Sequence, residues 1–364
     1  IVRTLVDRSR ALRAGGERES AADLVALARQ HDASRVEALL DAPSIVRLIT
    51  EPRGAYVEIL RCEPEGPRLV ERAHGEAGPA PCELTLPPGE YVLVLLCEGR
   101  TEVRVSLVVE PGSRLERSVW LPPEGALAPG MVYVPGGAYQ IRGDVLERPL
   151  PVPREIVLSP YGIGRFPVTM GEYAEFLNDL ASRDPAAAAE RAPRAGWLWF
   201  PDSQGAYRVP FTDPEGDIAR PRHAAVGVSA LAAEAYSTWL SVRTGRQLRL
   251  PTADEWEVAA RGAGDRVYPW GDGMDAALGV IGVPPVAARV TASRHEGRSV
   301  YGVEDCVGPA RCWTATWHDS DKRVLCGASY QATPEQARVG QNGRFRSVPW
   351  PTIGFRLAQT LAPN

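Results

Sequence analysis

No stretch of this 364-residue chain is apolar for long enough to cross a bilayer; the longest apolar run, residues 91–97, is a strand's length. Strong charge of one sign is also lacking. Lys and Arg number 41 against 45 Asp and Glu, a net charge of −4, and no basic stripe appears. The composition therefore gives no reason to expect nucleic acid or membrane insertion. The chain begins at Ile1 with Arg3, Asp7 and Arg8 close behind. That start reads as a fragment without a secretory signal, and a cytoplasmic location is expected.

The six cysteines, Cys62, Cys82, Cys97, Cys306, Cys312 and Cys326, include no CxxC and no zinc-knuckle spacing. Free thiols in a reducing compartment are expected, with one or two disulfides as the alternative. His31, His74, His223, His295 and His318 show no paired ligand spacing, so no metal centre is expected. Glycine-rich phosphate loops and kinase signatures are missing as well, and no cofactor is expected.

What is present suits two or three globular domains: 44% hydrophobic and 24% charged residues, with 35 Gly and 33 Pro that imply much loop and turn. Residues 1–45 read as a helical connector. Ile1, Val2, Leu5 and Leu12 recur at helical spacing, and Ser20 and Ser34 are expected N-caps. A helical protein-binding arm is the alternative. Residues 46–122 read as short strands, at 57–60, 83–86, 91–96, 103–109 and 115–121, with turn signals such as Pro87-Pro-Gly89. That pattern predicts a small β-sandwich. Residues 123–130 are a linker by composition, and residues 131–360 form the last unit.

Two resemblances sharpen this outline. Glu51-Pro-Arg-Gly-Ala55 and Leu86-Pro-Pro-Gly-Glu-Tyr91 resemble the PEGA domain, a non-catalytic spacer or binding module. The last unit resembles the formylglycine-generating-enzyme, or sulfatase-modifying-factor, family. The motifs are Met131-Val-Tyr-Val-Pro-Gly-Gly, Arg165-Phe-Pro-Val-Thr169, Arg249-Leu-Pro-Thr-Ala-Asp-Glu-Trp256, Tyr268-Pro-Trp-Gly-Asp272 and Gly354-Phe-Arg356, in order. The resemblance implies an α+β, C-type-lectin-like domain.

The same resemblance exposes departures. Ala332 and Ala337 stand near the positions of the family's two catalytic cysteines, and alanine can neither ligate copper nor attack as a thiolate. Pro309 and Cys312 replace an Asn and a calcium-binding Glu, and residues 277–280 lack a further Asn, so no intact calcium site is expected. Cys326, with His318 approaching in space, is the one substitute nucleophile to weigh.

The segment after Cys326 carries residues of the recognition type. Tyr330, Gln331, Thr333, Glu335, Gln341, Asn342, Arg344, Phe345, Arg346, Ser347, Trp350 and Thr352 mix aromatic, amide and arginine chemistry on a loop marked by Gly340, Gly343, Pro349 and Pro351. The arrangement resembles the variable proteins of diversity-generating retroelements. The domain order resembles the C-terminal half of bacterial proteins that begin with a Ser/Thr kinase. Together these imply a non-catalytic recognition protein whose face near residues 331–352 binds a protein or other macromolecule, with a kinase or other signalling domain upstream. A divergent cysteine-dependent oxidase and an architectural subunit are the rivals.

Overall fold

Two helices, α1 (Val2–Ala14) and α2 (Arg18–Leu40), open the protein and close on Val6, Ala28 and Val36. The computed structural model describes residues 1–14, 17–144, 146, 152–194, 201–209, 221–282 and 295–362. Helix α2 breaks at Asp32, whose φ of −164° and ψ of 93° leave the helical region. The Asp32 carboxylate accepts the Arg35 amide at 3.0 Å and the Ser34 hydroxyl at 3.1 Å. Asp32, not Ser34, therefore caps the second half of α2, because its side chain reaches the free amide three residues on.

Seven strands follow: β1 (Ser44–Glu51), β2 (Tyr56–Glu65), β3 (Arg68–Ala77), β4 (Cys82–Leu86), β5 (Gly89–Leu96), β6 (Val103–Val109) and β7 (Arg114–Trp120). They form two sheets, ordered β4-β1-β7 and β3-β2-β5-β6. One apolar core, including Leu48, Val57, Leu93, Leu107 and Val119, joins the two sheets. Strands β1 and β3 are additions to the expected set. β3 is an edge strand whose residues are all half-buried or exposed, so it carries no apolar alternation to read.

The remainder comprises β8 (Met131–Val134), β9 (Gly137–Ile141), β10 (Arg154–Leu158), β11 (Tyr161–Gly164), α3 (Met170–Ala181), α4 (Pro185–Arg191), α5 (Ala230–Thr244), β12 (Leu248–Arg249), α6 (Ala253–Arg261), β13 (Arg311–Trp317), β14 (Lys322–Cys326), β15 (Gly343–Arg346), β16 (Ile353–Phe355) and β17 (Ala358–Thr360). Its main sheets run β12-β17-β11-β8 and β15-β14-β13-β16. Helices α3 and α5 meet through stacked Tyr173 and Tyr236, both packed edge-on to Phe355. On α5 Ala235, Trp239 and Leu240 are only half-buried, while Ala232, Ala233 and Tyr236 face the core. Trp239 stays at the rim because its indole N–H donates to Asp179 at 2.8 Å.

Two buried arginines bind loops together. Arg356 donates from Nη1 to the Gly164 carbonyl at 2.9 Å and from Nη2 to the Glu304 carbonyl at 2.9 Å. Arg261 donates to the Arg266 carbonyl at 2.8 Å and pairs with Glu257 at 3.3 Å. Among the described residues no helix is long and apolar enough to cross a membrane.

Candidate functional site

The sheet β15-β14-β13-β16 builds the site. Side chains alternate across a strand, so one face receives every second residue. The register pairs Arg311 with Ile353, Trp313 with Leu325, Leu325 with Gly343 and Arg323 with Phe345. These odd-numbered residues share one face. Cys312 and Cys326, themselves paired, occupy the other face and pack with Trp256 beneath it.

A cavity of about 230 Å³ opens over the odd face. Of the recognition residues expected from sequence, Gln331, Phe345, Trp350 and Thr352 line it. Phe345 meets Trp350 edge-on at 5.2 Å and leans on the buried Trp313 at 6.4 Å. Trp350 remains 49% exposed, an apolar ring held at the mouth.

The other expected residues are not brought to this cavity. Tyr330 is buried beside Val280. Gln341 spends its amide on Asp144 at 2.6 Å, an acid that also pairs with Arg338 at 3.1 Å. Asn342 accepts the Cys326 thiol at 3.2 Å. Arg344 and Arg346 fall on the opposite side of β15 from Phe345, and Arg346 pairs with Asp321 at 3.0 Å. Thr333 and Glu335 are exposed at a short 3-10 helix, where the Thr333 hydroxyl holds the Glu335 carboxyl below its ordinary value. Ser347 is half-buried.

Several lining residues lie outside the set expected from sequence: Arg311, Leu325, Ala328, Ser329, Gln336 and Ile353. The available signal was parity, since Arg311 lies two residues before Trp313 on one strand. Its guanidinium donates from Nε to the Gly327 carbonyl at 3.1 Å and from Nη2 to the Gln341 carbonyl at 3.0 Å. A Cβ on Gly343 would lie 2.9 Å from Arg311 Nη1, so glycine there admits the close approach. Burial pulls the Arg311 pKa below its ordinary value.

Ala332 lines the cavity, half-buried, while Ala337 is buried. Both belong to one apolar cluster with Ala328, Val307 and the stacked pair Tyr268 and Trp270. Cys326 is fully buried, and burial raises its thiol well above the usual value. His318 lies exposed in the turn between β13 and β14. A neutral, enclosed thiol is neither a nucleophile nor a metal ligand.

Known proteins bear on this arrangement. Inactive C-alpha-formylglycine-generating enzyme 2 of Bos taurus is 31% identical over 289 residues, spanning 66% of this chain and 91% of its own. Formylglycine-generating enzyme of Thermomonospora curvata is 30% identical over 267 residues, spanning 60% of this chain and 83% of its own. The solved structure of Treponema denticola variable protein 1 superposes with a TM-score of 0.48 at 18% identity, over 63% of this chain and 94% of that one. With residues 120–361 matching the sulfatase-modifying factor enzyme 1-like domain, the chain belongs to that family.

Proposed function

We propose that this chain is a non-catalytic recognition protein that uses a sulfatase-modifying-factor domain as a C-type-lectin-like platform. The observation that carries the reading is the filling of the reactive positions by Ala332 and Ala337, beside an open cavity with Phe345 and Trp350 at its mouth. Aromatic anchors beside a recess are how recognition surfaces concentrate binding energy. The relative from Bos taurus, whose name marks it inactive, supports the same reading.

The ligand is a protein or other macromolecule, and Gln331, Phe345, Trp350 and Thr352, from the segment 331–352, form part of the wall of its site. The PEGA-like two-sheet unit carries the platform. The chain serves as the sensing part of a larger cytoplasmic signalling protein, with a kinase or comparable domain upstream.

Two measurements on the full-length protein test the proposal. Reconstitution with Cu(I) and a cysteine-containing peptide is expected to give neither stoichiometric copper nor an aldehyde by mass spectrometry. Capture of partners from source-cell lysate is expected to be lost in the Phe345→Ala/Trp350→Ala double variant, with its circular dichroism unchanged. Aldehyde formation would overturn the non-catalytic reading, and undiminished capture by the double variant would overturn the face.

A further inference from the structure

The cavity wall carries one fixed charge. Arg311 is the sole ionisable side chain among the described residues that line it. No carboxylate among the described residues pairs with Arg311; its two protein acceptors are the carbonyls of Gly327 and Gln341. A guanidinium does not shed its proton in a protein, so the charge persists. The nearby thiol of Cys326 offers no counter-charge, because burial keeps it protonated. A half-buried cation with no anionic partner is costly unless something supplies one.

The rest of the wall is suited to supplying donors to an anion. Arg311 Nη1 has no acceptor among the described residues. Ser329 and Thr352 line the same space, and neither hydroxyl has a hydrogen-bond partner among the described residues. The Gln336 carbonyl oxygen is taken by the Thr333 amide at 3.1 Å, which leaves its N–H₂ group to donate. Leu325, Phe345 and Ile353 add apolar surface for a short carbon stem.

We infer that the cavity over Arg311 binds a carboxylate presented by a polypeptide, either an Asp or Glu side group or a free C-terminus. The inference rests on the recognition reading above and names the chemistry of its ligand. Size excludes a large guest, since about 230 Å³ falls below the roughly 300–1,000 Å³ of pockets that enclose drug-sized ligands. Charge selects the group: one cation balances one carboxylate, whereas a phosphate dianion would leave a net negative charge enclosed. The planar guanidinium edge and the carboxylate also match in geometry.

The test uses the full-length protein and three pools of random hexapeptides. The first has free C-terminal carboxylates and no Asp or Glu. The second is C-terminally amidated with one Asp or Glu each. The third is amidated and free of acids. Binders are expected from the first or the second pool, and which of the two enriches identifies the source of the carboxylate. Converting the selected carboxylate to its amide should weaken binding to the unaltered protein about 10- to 100-fold, the scale of a charge-assisted hydrogen bond. Arg311→Gln should weaken binding comparably, and Arg311→Lys less.

Equal affinity for acid and amide forms overturns the carboxylate, and so does enrichment from the acid-free pool. If such neutral binders are lost in Phe345→Ala/Trp350→Ala, the recognition face stands and the charge assignment alone falls. Enrichment from none of the pools also overturns the carboxylate, while lysate capture judges the face separately. The acid-to-amide comparison needs no altered protein, so misfolding of an Arg311 variant cannot obscure the outcome.

Discussion

Cys326 is the thiol an oxidase built on this chain would have to use, and its surroundings oppose that use. It is fully buried, its S–H donates to Asn342, and burial raises its pKa well above the usual value. Burial likewise pushes Cys62 and Cys306 up to about 12. At pH 8 a thiol with that pKa is thiolate in only ~10⁻⁴ of molecules, and the thiolate is the reactive form. Cys82 and Cys97 are half-buried instead. Brief treatment of the native protein with iodoacetamide at pH 8 should modify Cys82 and Cys97 and spare the other four. Peptide mapping would read the sites, and rapid labelling of Cys326 would restore the oxidase as a serious rival. Sequence exposes part of this residue-level picture: Ala332 and Ala337 stand out against the family motif. The seclusion of Cys326 is not legible there, because Asn342 reaches it from outside its own strand.

Helix α6 is the element whose design is plainest in the sequence. Thr252 precedes Asp254 and Glu255, an order that suits an N-cap with acids in the first turn, and a full capping box forms there. The Thr252 hydroxyl accepts the Glu255 amide at 3.1 Å, and the Glu255 carboxylate accepts the Thr252 amide at 2.8 Å. Arg249 grips the same carboxylate with two hydrogen bonds of 2.6 and 2.7 Å. The helix also supports the candidate site, because its Trp256 meets Gly327 at the start of the loop that carries Ser329, Gln331 and Ala332. Thr252→Ala should therefore cost about 1 kcal/mol in urea unfolding. Glu255→Ala should cost more, since it also strips Arg249 of its partner. Equal effects from the two variants would deny the Arg249 contribution. Strand β15 is far less legible. Gly343 and Pro349 suggest loop throughout, which groups Arg344 and Arg346 with Phe345. The two-residue period of a strand sends them to the other side, and the same period on β13 joins Arg311 to Trp313.

At the scale of the molecule, the two-sheet unit and the family domain meet through buried polar contacts that composition cannot reveal. Arg266 pairs with Glu90 at 2.6 Å, and the two side chains are only 3% and 14% exposed. Arg104 joins Glu71 to the Val300 carbonyl, and the Ala263 amide donates to the Ser106 hydroxyl at 3.0 Å. Residues 123–130 read as linker, yet the Gln359 side chain donates to the Ala126 carbonyl at 2.8 Å and accepts the Ala128 amide at 2.7 Å. These partners are far apart in sequence, out of reach of any local pattern. The contacts fix the two-sheet unit against the platform instead of leaving it a tethered spacer. Arg266→Ala would strand the Glu90 carboxylate, whose pKa burial already raises, in a closed interface. Breaking such a pair costs about 3–5 kcal/mol, whereas replacing both partners with apolar residues recovers much of that. Calorimetry of the 364-residue chain should therefore show the two units unfolding in a single transition. Arg266→Ala should lower that transition, and Glu90→Leu/Arg266→Met should restore most of it. Two separate transitions in the unaltered protein, or an Arg266→Ala variant of unchanged stability, would mean that the units are independent and that the platform is free to turn against its support.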